Sequence, residues 1–245
     1  MNQILQDYYH RFLVEKKPNF EKFFTQMSVA EYKQKLPFLF EIDSFCFRLL
    51  IARLKNQKIC IYSDYDTDAV TATATMYWGL IYLGFSKENL SFYAPDRFTE
   101  GYGMNVEAVL KLAKTNDLII SVDCGINSTA EAEAAKNTSC DLIITDHHHL
   151  NSALPDCLAV VNPQVAKYYQ ENKVDYKNSQ NLLSQLPENY KKKSLAWFLE
   201  LKDAREDFKS TENLLSQSTT GVGVAWFSLV WLGYFLEEIG FKNGL

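Results

Sequence analysis

Ile143-Ile144-Thr145-Asp146-His147-His148-His149 sets three of the chain's four histidines side by side at the end of an apolar run. Two upstream stretches end in a similar way. Ile59-Cys60-Ile61-Tyr62-Ser63 runs into Asp64-Tyr65-Asp66-Thr67-Asp68, and Leu118-Ile119-Ile120-Ser121-Val122 runs into Asp123-Cys124-Gly125. Short continuous apolar runs bounded by polar turns read as buried strands. Residues 58–63, 90–94, 117–122, 141–145 and 158–161 read as strands. Residues 70–83, 105–114 and 127–135 read as helices; Gly84 stops the first, and Asn127 or Ser128 caps the last. Strands alternating with helices of these lengths predict an α/β fold, a parallel β-sheet flanked by helices over residues 56–163. In such sheets ligands gather beyond the carboxyl ends of the strands. The acids and histidines fall at those ends in all three runs.

The flanks read differently. Residues 1–55 form a helical N-terminal segment, with apolar residues at helical spacing in Leu39, Ile42, Cys46, Leu49, Leu50 and Leu54. His10, on a surface helix there, carries no functional weight. Residues 56–245 make up the second, larger domain. Within it, residues 164–218 are rich in Asn, Gln, Ser, Lys and Tyr and read as an insertion, with a helix over 195–208. The Lys191-Lys192-Lys193 run inside it reads first as a solvated face. Residues 222–239 read as a core helix: the tract 222–236 is uncharged but shorter than the ~20 residues that span a bilayer. No membrane association is expected.

Composition narrows the class. The chain has 245 residues, 47% of them hydrophobic, and can build a substantial core. Its net charge of −5 gives no global basic signal for nucleic acid, although acids collected at a metal site would mask a local basic groove. Five cysteines without CxxC pairing read as reduced thiols of a cytoplasmic protein rather than a disulfide frame or a zinc site. MNQILQDYYHRF lacks the apolar stretch of a signal peptide.

Asp and His together suit a divalent transition metal such as Mn²⁺. The chemistry this favours is metal-assisted hydrolysis of a phosphate ester. On an extended backbone Asp64, Asp66 and Asp68 would share a face, and three like charges that close repel unless a cation neutralises them. A solvated acidic turn is the alternative for that stretch alone. Asp123 reads either as a metal bridge or as a helix cap, and Gly125 permits a tight turn beside it. Adjacent His147 and His148 should diverge, one toward metal and the other toward substrate, with Asp146 orienting an imidazole; His149 reads as a bystander. Arg97, in Asp96-Arg97-Phe98-Thr99-Glu100-Gly101-Tyr102-Gly103, reads as a bidentate phosphate contact or as an ordinary salt bridge. Cys60 and Cys124 flank the site without a base partner.

These motifs resemble the DHH phosphoesterase superfamily and, within it, the RecJ family of bacterial single-strand-specific 5′→3′ exonucleases. IYSDYDTDAVTATA is similar to the first motif, SVDCG to the second and ITDHHH to the third. APDRFTEGYG resembles a loop that RecJ proteins carry, and VNPQ at 161–164 and TTGVGVAWFSLVW at 219–231 resemble the segments that follow. Ser63 and Ala69 depart from it, standing where RecJ proteins usually have glycine. The resemblance implies two Mn²⁺ or Mg²⁺ ions, one held by Asp66 and Asp123 and the other by Asp68, Asp123 and His147. It also implies that His148 and Arg97 face the scissile phosphate and that Asp64 supports the cluster catalytically. The implied partners are single-stranded DNA and proteins of DNA repair and recombination. RecJ proteins continue into a fourth motif with another metal-binding Asp and into C-terminal domains. Leu245 precedes these, so a fragment, a truncated gene product or one piece of a split enzyme with a partner chain is expected, with an incomplete second metal site. Two other readings are a non-catalytic RecJ-like structural or DNA-binding module, and a DHH oligoribonuclease or nucleotide phosphatase.

Overall fold

The structure, a computed structural model, describes residues 39–96, 98–172, 176–207 and 219–241. The helical expectation for residues 1–38, His10 and the assignment of Arg97 lie outside these residues. Helix α1 (Ile42–Leu54) leads into β1 (Ile59–Ser63), α2 (Thr67–Tyr82), β2 (Leu90–Tyr93), α3 (Val106–Ala113), β3 (Leu118–Val122), α4 (Thr129–Lys136), β4 (Asp141–Thr145) and β5 (Ala159–Val161). All strand pairs are parallel and the spatial order is β2-β1-β3-β4-β5. Every residue of β1 and β3 is buried, which explains why both read as near-continuous apolar runs rather than alternating ones. The chain leaves β1 toward β2 on one side and returns to β3 on the other. The strand order therefore reverses between β1 and β3, the place where α/β sheets open a crevice at their carboxyl ends.

Two helical layers cover the sheet. Helices α3 and α4 pack on each other and against β3 and β4. On the second layer α2 packs against β1 and against the long α8 (Gly221–Glu238), and α1 packs against α8 and β5. The core expectation for α8 holds: Val224, Ala225, Leu229, Trp231, Leu232, Phe235 and Leu236 are buried. Residues 164–218 contain α5 (Ala166–Asn172), α6 (Lys177–Gln185) and α7 (Glu188–Asp207). Helix α7 begins seven residues earlier than the sequence suggested and takes in the lysine run, where Lys191 pairs with Glu188 at 3.0 Å. Its Trp197 and Phe198 are buried against Phe47 of α1, and Trp197 packs on Phe235 of α8 at 4.8 Å. That stretch thus contributes to the core instead of merely decorating the scaffold. All five cysteines are free thiols, and no helix among the described residues is long and apolar enough to cross a membrane.

Two local readings are corrected. Helix α2 starts at Thr67 because the Asp66 carboxylate accepts the Ala69 N–H at 2.9 Å and caps it. Asp68 therefore sits in a helical first turn, and strand parity does not place it with Asp64 and Asp66. Helix α4 starts after Ser128, which makes no side-chain cap bond. Asn127 instead ties two loops together: its amide donates to the His149 carbonyl at 3.0 Å and its oxygen accepts the Asn151 N–H at 2.8 Å.

Candidate metal centre

Three strand ends supply the site. Beyond β1, Asp64 is buried; its Oδ1 accepts the Tyr65 N–H at 2.7 Å, and its Oδ2 is buried with no hydrogen-bond partner. Beyond β3, Asp123 is buried in the left-handed region at φ 61°. Asp is among the few side chains that tolerate that conformation. The backbone there is fixed by the Asp123 N–H, which donates to the Thr145 carbonyl of β4 at 2.9 Å, and by Ser121 Oγ, which donates to the Cys124 carbonyl at 2.8 Å. Asp123 is therefore not a cap of α4.

Beyond β4, Asp146 organises the histidines. Its Oδ1 accepts the N–H groups of His147 at 2.6 Å and His148 at 3.1 Å, and lies 2.7 Å from His148 Nδ1. Its Oδ2 accepts the Ile126 N–H at 2.9 Å, joining the loops after β3 and β4. Asn162, buried just beyond β5, donates to the His148 carbonyl at 3.0 Å. The two imidazoles do not diverge, contrary to expectation: their ring centres are 4.3 Å apart. Chain alternation governs strands, but the segment has left β4 by then, and Asp146 draws His148 in.

His147 Nε2 lies 3.1 Å from Asp123 Oδ1 and 3.7 Å from Asp68 Oδ2. Asp123 Oδ1 is buried, and His147 Nε2 is the polar group that faces it. Ligand atoms of Asp123, His147 and His148 all fall within 4.8 Å of one another, a grouping able to hold a metal ion. Asp68, Asp123 and His147 thus come together. Asp66 is exposed and commits one oxygen to the α2 cap, yet its charge still reaches Asp123 and His148. His149 is exposed and contributes only its backbone carbonyl to Asn127.

The electrostatics follow from this crowding. Burial pushes the Asp123 carboxyl above its usual range; contact with His147 opposes this and Asp68 adds to it. Asp123 in turn raises His147. Asp146 pushes His148 up to about 9. Burial acts to raise Asp146, but the bonds from His148 and the Ile126 N–H outweigh it and hold the carboxyl low. Burial pushes the Cys60 thiol up to about 11 and the Cys124 thiol well above its ordinary value, so neither supplies a thiolate. Carboxylates and imidazoles packed together, with buried oxygens on Asp64 and Asp123 that lack hydrogen-bond partners, are a donor set that fits a divalent cation such as Mn²⁺ or Mg²⁺.

Sequence reasoning missed two contributors. Asp68 Oδ2 and Oδ1 accept the N–H groups of Gly221 and Val222 at 2.8 and 2.9 Å, bringing the start of α8 to the cluster. The glycine that opens the TTGVGV segment was the available signal, but spacing along the chain does not reveal a partner so distant. Tyr102 was the other: its phenol is raised to about 12, by burial and then by the charges of Asp64, Asp123 and Asp66, which places it at the rim of the acids.

Comparison with known proteins decides the family, because residues 58–196 match the DHH family, N-terminal domain. The chain belongs to the DHH family. Among its curated relatives, the single-stranded-DNA-specific exonuclease RecJ of Bacillus subtilis (strain 168) is 44% identical over 118 residues, covering 48% of this chain and 15% of that protein. RecJ of Escherichia coli (strain K12) is 37% identical over 112 residues, covering 45% of this chain and 19% of that protein. The chain thus spans less than a quarter of the length of either DHH relative. Among solved structures, exonuclease RecJ bound to manganese superposes with a TM-score of 0.55 at 26% identity, covering 84% of this chain and 40% of that one. RecJ from Thermus thermophilus in complex with Mn²⁺ superposes with a TM-score of 0.50 at 24% identity, over 84% of this chain and 22% of the other; that likeness speaks for the DHH fold.

Proposed function

We propose that this chain is the metal-binding catalytic part of a RecJ-type phosphodiesterase that degrades single-stranded DNA from its 5′ end in the cytoplasm, alongside proteins of DNA repair and recombination. The observation that carries the reading is the meeting of Asp68, Asp123 and His147 at the β1/β3 switch point, with Asp123 Oδ1 buried 3.1 Å from His147 Nε2. The identity to RecJ proteins supports the substrate class. Asp66, Asp68, Asp123 and His147 would hold two Mn²⁺ or Mg²⁺ ions. Bound there, the ions would supply an activated water and polarise the phosphate.

The chain's own residues do the rest. Asp146 fixes the His148 ring through Nδ1 and favours its cationic form, which leaves Nε2 to meet a non-bridging phosphate oxygen. Arg97 takes a second phosphate oxygen in this scheme. Asp64, buried beyond β1, would add negative charge that helps to hold the cations. The left-handed turn at Asp123 and its bond to Thr145 fix the backbone that carries this carboxylate.

The experiment is degradation of 5′-labelled single-stranded DNA with Mn²⁺, comparing wild type with Asp123→Ala. Wild-type degradation that the substitution abolishes is expected. Equal degradation by both would mean a contaminating nuclease, and faster turnover of a dinucleotide than of a 20-mer would favour an oligoribonuclease-type substrate.

A further inference from the structure

We infer that the first turn of α8 positions the carboxylates of the metal centre, and that Gly221 is the positioning residue; the inference rests on the metal-centre reading above. Asp68 is not free to point anywhere. Both its oxygens are taken by the first backbone N–H groups of α8, those of Gly221 and Val222. Helix-opening N–H groups lack intrahelical acceptors, and the helix dipole favours a carboxylate there. The oxygen bound to Gly221 is the one facing His147 Nε2 at 3.7 Å. One residue thus links the clamp on Asp68 to the imidazole of the cluster.

Gly221 also touches the second acid. A Cβ at this position would overlap Oδ1, Cγ and Cβ of Asp123. Asp123 has little room to yield, since it sits in a left-handed turn and its N–H is bonded to Thr145. Backbone conformation does not demand glycine here, because Gly221 is absent from the positive-φ positions. Nor does the helix start demand it: the cap is Thr220, whose Oγ1 accepts the Gly223 N–H at 3.2 Å. What requires the missing side chain is the Asp123 carboxylate. Helix α8 lies 153 residues beyond Asp68, yet it fixes Asp68 by hydrogen bonding and Asp123 by close approach.

The test is calorimetric Mn²⁺ titration of the whole chain as wild type, Gly221→Ala and Gly233→Ala, with thermal melting of each metal-free protein. Gly233 lies in the same helix, and a Cβ there meets Leu83 Cδ2 at an ordinary 3.5 Å, so it controls for the change in helix propensity. Gly221→Ala is expected to weaken Mn²⁺ binding by roughly 10-fold or more, as changes behind metal ligands do, with Gly233→Ala unchanged. Wild-type affinity in Gly221→Ala overturns the positioning role. Absence of Mn²⁺ binding in the wild type overturns the metal-centre reading itself, a separate outcome. If Gly221→Ala fails to fold, amide hydrogen exchange of the wild type decides. Mn²⁺ should slow exchange in residues 219–226 and leave 230–238 unchanged, and unaltered exchange at 219–226 overturns the inference.

Discussion

The Asp146 carboxylate lies 2.7 Å from His148 Nδ1 while accepting the Ile126 N–H at 2.9 Å, so one buried acid aims an imidazole and joins two loops. Asp146→Asn should therefore change both charge and order. In the metal-free protein the His148 pKa, raised to about 9, should fall toward the ordinary ~6.5. NMR titration of the imidazole resonances measures it; an unchanged midpoint would mean that Asp146 does not control His148.

The same pair fixes a pH dependence of stability. The His148 contribution is complete below ~6.5 and is lost as pH rises through about 9. Asp146 is held low, so its contribution is present above the unfolded carboxylate value of ~3.9 and is lost as pH falls through the folded value. The destabilisation caused by Asp146→Asn should thus be greatest between about pH 4 and 6.5 and should shrink toward alkaline pH. Urea unfolding across that range is the measurement, and a deficit that grows above about pH 9 would contradict it.

Divalent ions should stabilise the fold through the same carboxylates. A ligand at about a hundred times its dissociation constant contributes about 2.7 kcal/mol. At a few degrees per kcal/mol for a domain of this size, Mn²⁺ should raise the melting temperature by about 5–10 °C. EDTA should reverse the rise, and Asp123→Asn should abolish it. A rise that survives in Asp123→Asn would place the binding elsewhere.

The fold was legible where burial dictates composition. Residues 59–63 and 118–122 are buried throughout, so apart from Ser63 and Ser121 their sequences are apolar or aromatic, and the turn after each carries the acids. The site was legible as a set of strand ends but not as a geometry. Asp68 was misplaced because the Asp66 cap starts α2 early and ends strand parity. His147 and His148 were expected to part because an i, i+1 rule was carried past the end of β4. The Gly221–Asp123 approach leaves no trace in spacing, since the two residues meet through the packing of α8 on α2, β3 and β4. Helix α7 read as polar because one face is solvated, while Trp197 and Phe198 enter the core from the other.

That buried face should be measurable. Phe47 packs against Trp197, Phe198 and Phe235 at ring distances of 6.0, 6.3 and 5.4 Å, joining α1, α7 and α8 in one cluster. Phe47 is fully buried, so Phe47→Ala should cost about 3–5 kcal/mol. Trp197→Ala should cost a similar amount if residues 188–207 belong to the cooperative unit. A separate, earlier transition for α7 in thermal melts would show that they do not.

Arg48 offers the complementary case, a polar contact that holds the sheet without touching the site. It is buried, and its guanidinium donates to Asp141 Oδ2 at 2.6 Å, Gln57 Oε1 at 2.8 Å and the Asp117 carbonyl at 3.0 Å. Gln57, Asp117 and Asp141 lie at the amino ends of β1, β3 and β4, opposite the acids. Asp141 is 44% exposed, so solvent weakens the ion pair itself and most of the cost comes from the stranded polar groups. Arg48→Ala should destabilise by about 2–4 kcal/mol. Arg48→Lys should recover little, because an ammonium cannot reproduce three bonds from one planar fork. Mn²⁺ affinity of the folded fraction should be unchanged in both variants. Urea unfolding and calorimetry measured on the same samples separate the two effects, and a loss of metal affinity in Arg48→Lys would show that strain at the amino ends of the strands reaches the carboxyl ends.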